Sequence, residues 1–137
     1  MVTLDSNVAV YAFSDVTEKA QIAGDVLSRA AFVSVQVLNE FANMSFRKQG
    51  KGWCEIASKL ADIRRTVPMV LPIDEPANAE AVRIAERYQL NFYDALMLAV
   101  ALSGGSRTIY SEDMHDGLDV DGTLQIVNPF RPGALDA

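Results

Sequence analysis

Four acids fall where a carboxylate could do chemistry. Asp5 follows the apolar run Val2-Thr3-Leu4 directly, which puts it at the carboxyl end of a first strand. Alone, it reads equally well as a loop residue or a cap. Glu40 lies in VQVLNEFANMSF. At helical spacing Val37, Leu38, Phe41, Met44 and Ser45 form a packed stripe, and Glu40 borders it one turn from Val37 and Met44. Glutamates on a helix edge are usually solvated, but one flanked by apolar neighbours is costly to bury without a partner. Asp94 heads DALMLAVAL and shares a side with Met97, Leu98 and Ala101. With Asn91 it also resembles a capping box, and an acid in a first turn suits the helix dipole. Because that helix is apolar on all sides, Asp94 is expected to be deep as well as capping. Asp113 follows RTIYS and Glu112, again at the end of a strand.

Gathered into one pocket, these acids would repel. At ~4 Å and an effective dielectric near 20, each pair costs about 4 kcal/mol. Such a cluster must be protonated, paired with cations or bound to metal. The chain has one histidine, His115, and one cysteine, Cys54, so a zinc set is disfavoured. Oxygen-only donors select hard cations, magnesium or manganese. Magnesium bound by a few carboxylates keeps waters and completes its shell from a phosphate. That chemistry suits phosphodiester hydrolysis, where the metal activates water and steadies the leaving oxygen.

The elements that must position these acids alternate. Val2–Leu4 reads as a strand, residues 18–30 as a helix and AFVSV as a short strand. Ser34 or Gln36 opens a helix running to about Gln49, stopped by Gly50. GWCEIASKLADIRRT is a second helix, with Trp53, Ile56, Ala57, Leu60 and Ile63 on one side. PMVLPI is a strand, and PANAEAVRIAERYQ a helix with Pro76 in its first turn. DALMLAVALSGG is a buried helix ended by Gly104-Gly105, and RTIYS and LQIV are strands. Strands alternating with helices predict an α/β fold, a mostly parallel sheet with helices on both faces. Ligands of such sheets bind beyond the carboxyl ends of the strands. Asp5 and Asp113 end strands there, and Glu40 and Asp94 ride on helices that could reach the same edge.

Composition sets the outer bounds. A chain of 137 residues, half of them hydrophobic, reads as one domain, residues 1–137, with a core of its own. One cysteine rules out an internal disulfide framework. The start, MVTLDSNVAVYAF, lacks a basic region and carries Asp5, so it does not read as a signal peptide. No apolar run approaches the ~20 residues that cross a membrane, so no membrane partner and a cytoplasmic location are expected. The formal net charge of −6 argues against a nucleic-acid partner, unless acids are gathered to hold metal ions.

Read together, LDSNVAVYAF, LNEFANM, NFYDALMLAVAL and IYSEDMHDG…IVNPF resemble the PIN domain, and within it the bacterial VapC-type toxins. The resemblance runs over essentially the whole chain. It implies a three-layer α/β/α sandwich, a magnesium- or manganese-dependent endoribonuclease, a homodimer and a VapB-like antitoxin that blocks the site. The family's acidic quartet falls on Asp5, Glu40, Asp94 and Asp113, the acids already singled out. Its amide or hydroxyl near the first acid falls on Asn7, beside Ser6, and its small hydroxyl before the last acids on Ser111. On this reading Asp5, Asp94 and Asp113 hold one or two ions, directly or through water. Glu40 is a further ligand or orients the attacking water, and the products carry a 5′-phosphate and a 3′-hydroxyl.

Other residues admit two readings. Arg47, Lys48 and Lys51 beside Trp53 could grip RNA phosphates and stack a base, or form a solvated helix end where cations suit the dipole. Arg64 and Arg65 read as a solvated face, His115 as a loop residue and Cys54 as a packed small hydrophobe. In YSEDMHDGLDVDG, Glu112 is expected to point away from the site and Asp119 to be exposed. Asp121-Gly122 reads as a tight turn. Asp116 is a turn residue or a further acid near the metal. The spacing is not that of an EF-hand. A PIN fold that binds RNA or protein without cutting is the alternative function. A haloacid-dehalogenase-like phosphatase would need Asp-x-Asp where Asp5-Ser6-Asn7 stands, and a receiver domain would need an acid pair there.

Overall fold

A computed structural model describes residues 1–136 of the chain. The main sheet has the order β1-β4-β6-β5, built from β1 (Val2–Leu4), β4 (Thr108–Tyr110), β5 (Asp119–Val120) and β6 (Leu124–Val127). β1 and β6 both pair with β4 in parallel, and β5 closes the edge antiparallel to β6. The expected mostly parallel sheet is therefore present. It is shorter in strand count than the sequence pattern suggests, because AFVSV and PMVLPI do not join it. Only β2 (Val33–Ser34) and β3 (Val70–Leu71) form from those segments, and they pair with each other as a separate ribbon.

The helices are α1 (Ser6–Ala12), α2 (Thr17–Arg29), α3 (Val35–Arg47), α4 (Trp53–Thr66), α5 (Glu75–Tyr88) and α6 (Phe92–Ser103). Local chemistry explains their starts. The Gln36 N–H donates to Ser34 Oγ at 3.1 Å, capping α3. Ala77 N–H does the same to Asp74 Oδ1, with proline in the first turn of α5. α6 has every residue from Ala95 to Ala101 buried, as an all-round apolar helix requires. It packs at the centre with Leu4, Ile109, Leu124 and Ile126, all essentially inaccessible. Its end at Gly104 rests on the ribbon. A Cβ there would lie 2.5 Å from the Phe32 ring and 2.7 Å from Leu71, so glycine is needed for the approach.

α1 has no counterpart in the sequence reading, which placed only a strand end there. It starts because the Ser6 N–H donates to Asp5 Oδ1 at 2.7 Å, making Asp5 the N-cap. Two side-chain expectations also change. Cys54 is exposed rather than packed, and Trp53 is 60% exposed, its ring stacked on Phe46 at 4.2 Å. Ile56 and Ile63 supply the buried side of α4.

Candidate active site

Strand register brings the first two site residues together. Leu4 pairs with Tyr110, and the Asp5 N–H donates to the Tyr110 carbonyl at 2.9 Å. The residues just beyond both strands, Asp5 and Ser111, are thereby neighbours at the carboxyl edge. Ser111 Oγ donates to Asp5 Oδ2 at 2.9 Å and accepts the Met114 N–H at 3.2 Å, which fixes its direction. Asn7 sits one step further along α1. Its Nδ2 reaches Asp5 Oδ2 at 3.1 Å and Asp113 Oδ2 at 3.4 Å, so one amide spans two of the acids. Its Oδ1 accepts the Glu112 N–H at 3.1 Å, tying α1 to the segment after β4.

Glu40 arrives from α3. The Ser6 hydroxyl donates to Glu40 Oε1 at 2.9 Å and lies 3.4 Å from Asp5 Oδ1. Gln36 Nε2 contacts the other Glu40 oxygen at 3.4 Å. Asp94 arrives from the first turn of α6. Its N–H donates to Asn91 Oδ1 at 2.9 Å, and its Oδ2 accepts Asn91 Nδ2 at 2.8 Å. The capping pair thus forms, with its return bond made to the Asn91 side chain. Asp94 is only half-buried, not deep.

Asp5, Glu40, Asp94 and Asp113 line one cleft of about 290 Å³, together with Asn7 and Lys48. The electrostatics follow from that convergence. Burial pushes the Asp5 carboxyl up from 3.8 to about 6, aided by Glu40 and Asp94 and opposed by the hydrogen bonds from Ser111 and Ser6. Asp94 is raised too, by burial first and Asp113 second, against the bond from Asn91. Carboxylates pushed toward protonation by burial first and by one another second form a site that a cation would relieve.

The donors fit a hard dication, being oxygens only. Among the described residues, no group of three Asp, Glu, His or Cys side chains is arranged to hold an ion by itself. Asp5 is partly committed, since Oδ1 accepts from Ser6 and Oδ2 from Asn7 and Ser111. The arrangement suits an ion bound by one or two carboxylates and otherwise through water, as magnesium prefers.

The remaining sequence candidates divide. Arg47 and Lys48 line a hollow beside the cleft, with Asn43 and Met44. Lys51 is exposed and pairs with Glu55 at 3.6 Å. Asp116 lies outside the cleft lining; it accepts the Asn128 N–H at 2.8 Å and pairs with Arg131 at 3.0 Å. Glu112 points away, as expected, accepting from Tyr11 Oη at 2.9 Å and from Lys19. Asp119 is exposed. The turn residues Asp121 and Gly122 have φ of 56° and 70°, the pair of positive values that a type I′ turn needs. Ser6 and Asn43 are the cleft residues that sequence reasoning undervalued. The signal for Asn43 was present: it lies one helical turn from both Glu40 and Arg47.

The PIN domain family model matches residues 2–116, and the chain belongs to that family. No curated protein matches it. Among solved structures, a toxin–antitoxin complex from Klebsiella pneumoniae is similar with a TM-score of 0.65 at 17% identity, covering 94% of this chain and 98% of that one. VapC20 of Mycobacterium tuberculosis, a sarcin-ricin loop cleaving toxin, gives 0.66 at 19%, covering 82% and 90%. VapBC2 of Rickettsia felis, bound to a DNA fragment from its promoter, gives 0.64 at 16%, covering 92% and 97%. At these identities the likeness is one of fold. Among the described residues no helix is long and apolar enough to cross a membrane.

Proposed function

We propose that this chain is a divalent-metal-dependent endoribonuclease, the VapC-type toxin of a toxin–antitoxin pair. The observation that carries the reading is the convergence of Asp5, Glu40, Asp94 and Asp113 on one cleft beyond the strand ends. Family membership and the toxins among its structural relatives support it.

Asp5, Asp94 and Asp113 would hold Mg2+ or Mn2+, directly or through water. The chemistry such an ion supplies when bound is a lowered pKa for the attacking water and neutralised charge at the leaving oxygen. Asn7 and Ser111 keep the Asp5 carboxylate oriented, and Asn7 sets its separation from Asp113. Glu40, held by Ser6 and Gln36, is a further ligand or orients the attacking water in line with the phosphodiester. A VapB-like antitoxin would restrain the activity, the chain would act as a homodimer, and an RNA substrate implies action in the cytoplasm.

The test is cleavage of labelled RNA by the purified chain, free of antitoxin, with Mg2+ or Mn2+. Cleavage should stop on chelation. Asp5→Asn and Asp94→Asn should each lose at least about a hundredfold in rate, the upper end of what is lost when even a metal ligand's supporting partner is removed. RNA that is bound but uncut with either metal would favour a non-catalytic binding module instead.

A further inference from the structure

Three hollows run side by side along the exposed edge of α3, and Asn43 lines all of them. The middle one is the acidic cleft. On one side are Arg47 and Lys48. On the other is a hollow of about 360 Å³ lined by Gln36, Asn39, Glu40, Asn43 and Tyr93. Its described lining holds no cation. It holds three amides, one aromatic ring and, at the border with the acidic cleft, the Glu40 carboxylate.

Asn39, Asn43 and Arg47 recur every four residues, so they stand in one row on the helix surface. Asn39 and Asn43 are both exposed. Tyr93 is 60% exposed, and Phe92 braces it edge-on with ring centroids 5.5 Å apart. Phe92 in turn packs against the core, so the platform is backed by rigid structure. An exposed, braced aromatic beside free amides suits a flat heterocycle: the ring offers a stacking face and the amides offer donors and acceptors to its edge.

We propose that the row from Tyr93 to Lys48 is the substrate track, and that an unpaired RNA base stacks on Tyr93 while Asn39 and Asn43 hydrogen-bond its edge. Arg47 and Lys48 take phosphates at the opposite end, across the acids. The proposal rests on the nuclease reading for its choice of RNA. The charge order supports that choice, because a strand passing the acids meets cations on one side and base-binding groups on the other. A base inside a duplex presents no free face, so the track selects single-stranded RNA.

The test is binding of a fluorescently labelled single-stranded RNA 12-mer to the full chain carrying Asp94→Asn, in Mg2+, followed by anisotropy. That substitution should slow cutting at least about a hundredfold, and it removes one negative charge from the cleft. Adding Tyr93→Ala should weaken binding about 5- to 150-fold, the range for losing one stacked base. Tyr93→Phe, which keeps the ring, should stay within about twofold, and Asn43→Ala should fall between. Duplex RNA of the same sequence should show no effect of Tyr93→Ala. Unchanged single-strand binding in Tyr93→Ala would overturn the proposal, as would no detectable RNA binding by the parent. So would a Tyr93→Ala effect confined to the mass of the chain in solution or to antitoxin capture, which would make Tyr93 a protein contact. RNA held through Tyr93 but left uncut by the wild-type chain with either metal would uphold the track while refuting the nuclease reading.

Discussion

Replacing Asp5 with Asn should stabilise the metal-free chain near neutral pH and destabilise it near pH 4. The Asp5 carboxyl stands at about 6 in the folded chain against an ordinary 3.8. Between those values the native state keeps a proton that the unfolded chain has released. The stability this group contributes is therefore fully present below about 3.8 and is lost as pH rises through about 6. At 1.36 kcal/mol per pH unit, the loss by pH 7.5 is roughly 3 kcal/mol. Asparagine does not ionise and so escapes it. It has a cost of its own, because Oδ1 accepts from Ser6 while Oδ2 faces donors on Asn7 and Ser111. An amide offers one acceptor oxygen, so one of those bonds is lost, at about 1 kcal/mol. The expected balance is a gain of about 2 kcal/mol at pH 7.5 and a loss of under about 1 kcal/mol at pH 4. Urea unfolding of both proteins in chelator, at the two pH values, measures it. Titrating groups remote from Asp5 cancel in the difference. A destabilisation of equal size at both pH values would refute the electrostatic reasoning.

Three further outcomes follow from the packing. Gly104→Ala should destabilise by about 1–3 kcal/mol in a denaturant melt, since its Cβ would meet Phe32 and Leu71 with no room to spare. Leu98→Ala, in the fully buried face of α6, should cost about 2–5 kcal/mol in the same assay. Glu112→Gln should leave RNA cleavage unchanged and cost under about 1 kcal/mol, because its pair with Lys19 is partly solvated and turned away from the cleft.

How much of this was legible in the sequence depended on how much each segment decides for itself. α6 was unmistakable, because an apolar run of that length can only be buried. The convergence of the four acids on one cleft was legible because two end strands and two sit on helices beside apolar stripes. The strand order was not legible, since β1-β4-β6-β5 depends on pairings far apart in sequence. α1 was missed because SNVAVYA is short and rich in valine, and it is a cap made by Asp5 that starts it as a helix. β2 and β3 looked like sheet strands from composition, but only two residues of each pair. Cys54 shows the limit of reading a stripe near a helix start: α4 turns Ile56 and Ile63 inward and leaves its first turn in solvent. Asp116 and Asp113 lie three residues apart in one acidic stretch, yet Asp113 faces the cleft and Asp116 holds Arg131. Nothing in their spacing separates them; their tertiary partners do.

The central claim is that Asp5, Asp94 and Asp113, distant in sequence, form one cation site with Glu40 beside it. Mn2+ binding, followed by the loss of the free-ion electron paramagnetic resonance signal, tests it most directly. Asp5→Asn, Asp94→Asn and Asp113→Asn should each weaken binding at least about tenfold, the scale seen even for groups that only orient a ligand. Asp116→Asn should leave it unchanged. Binding that survives these three substitutions, or that falls equally with Asp116→Asn, would contradict the account.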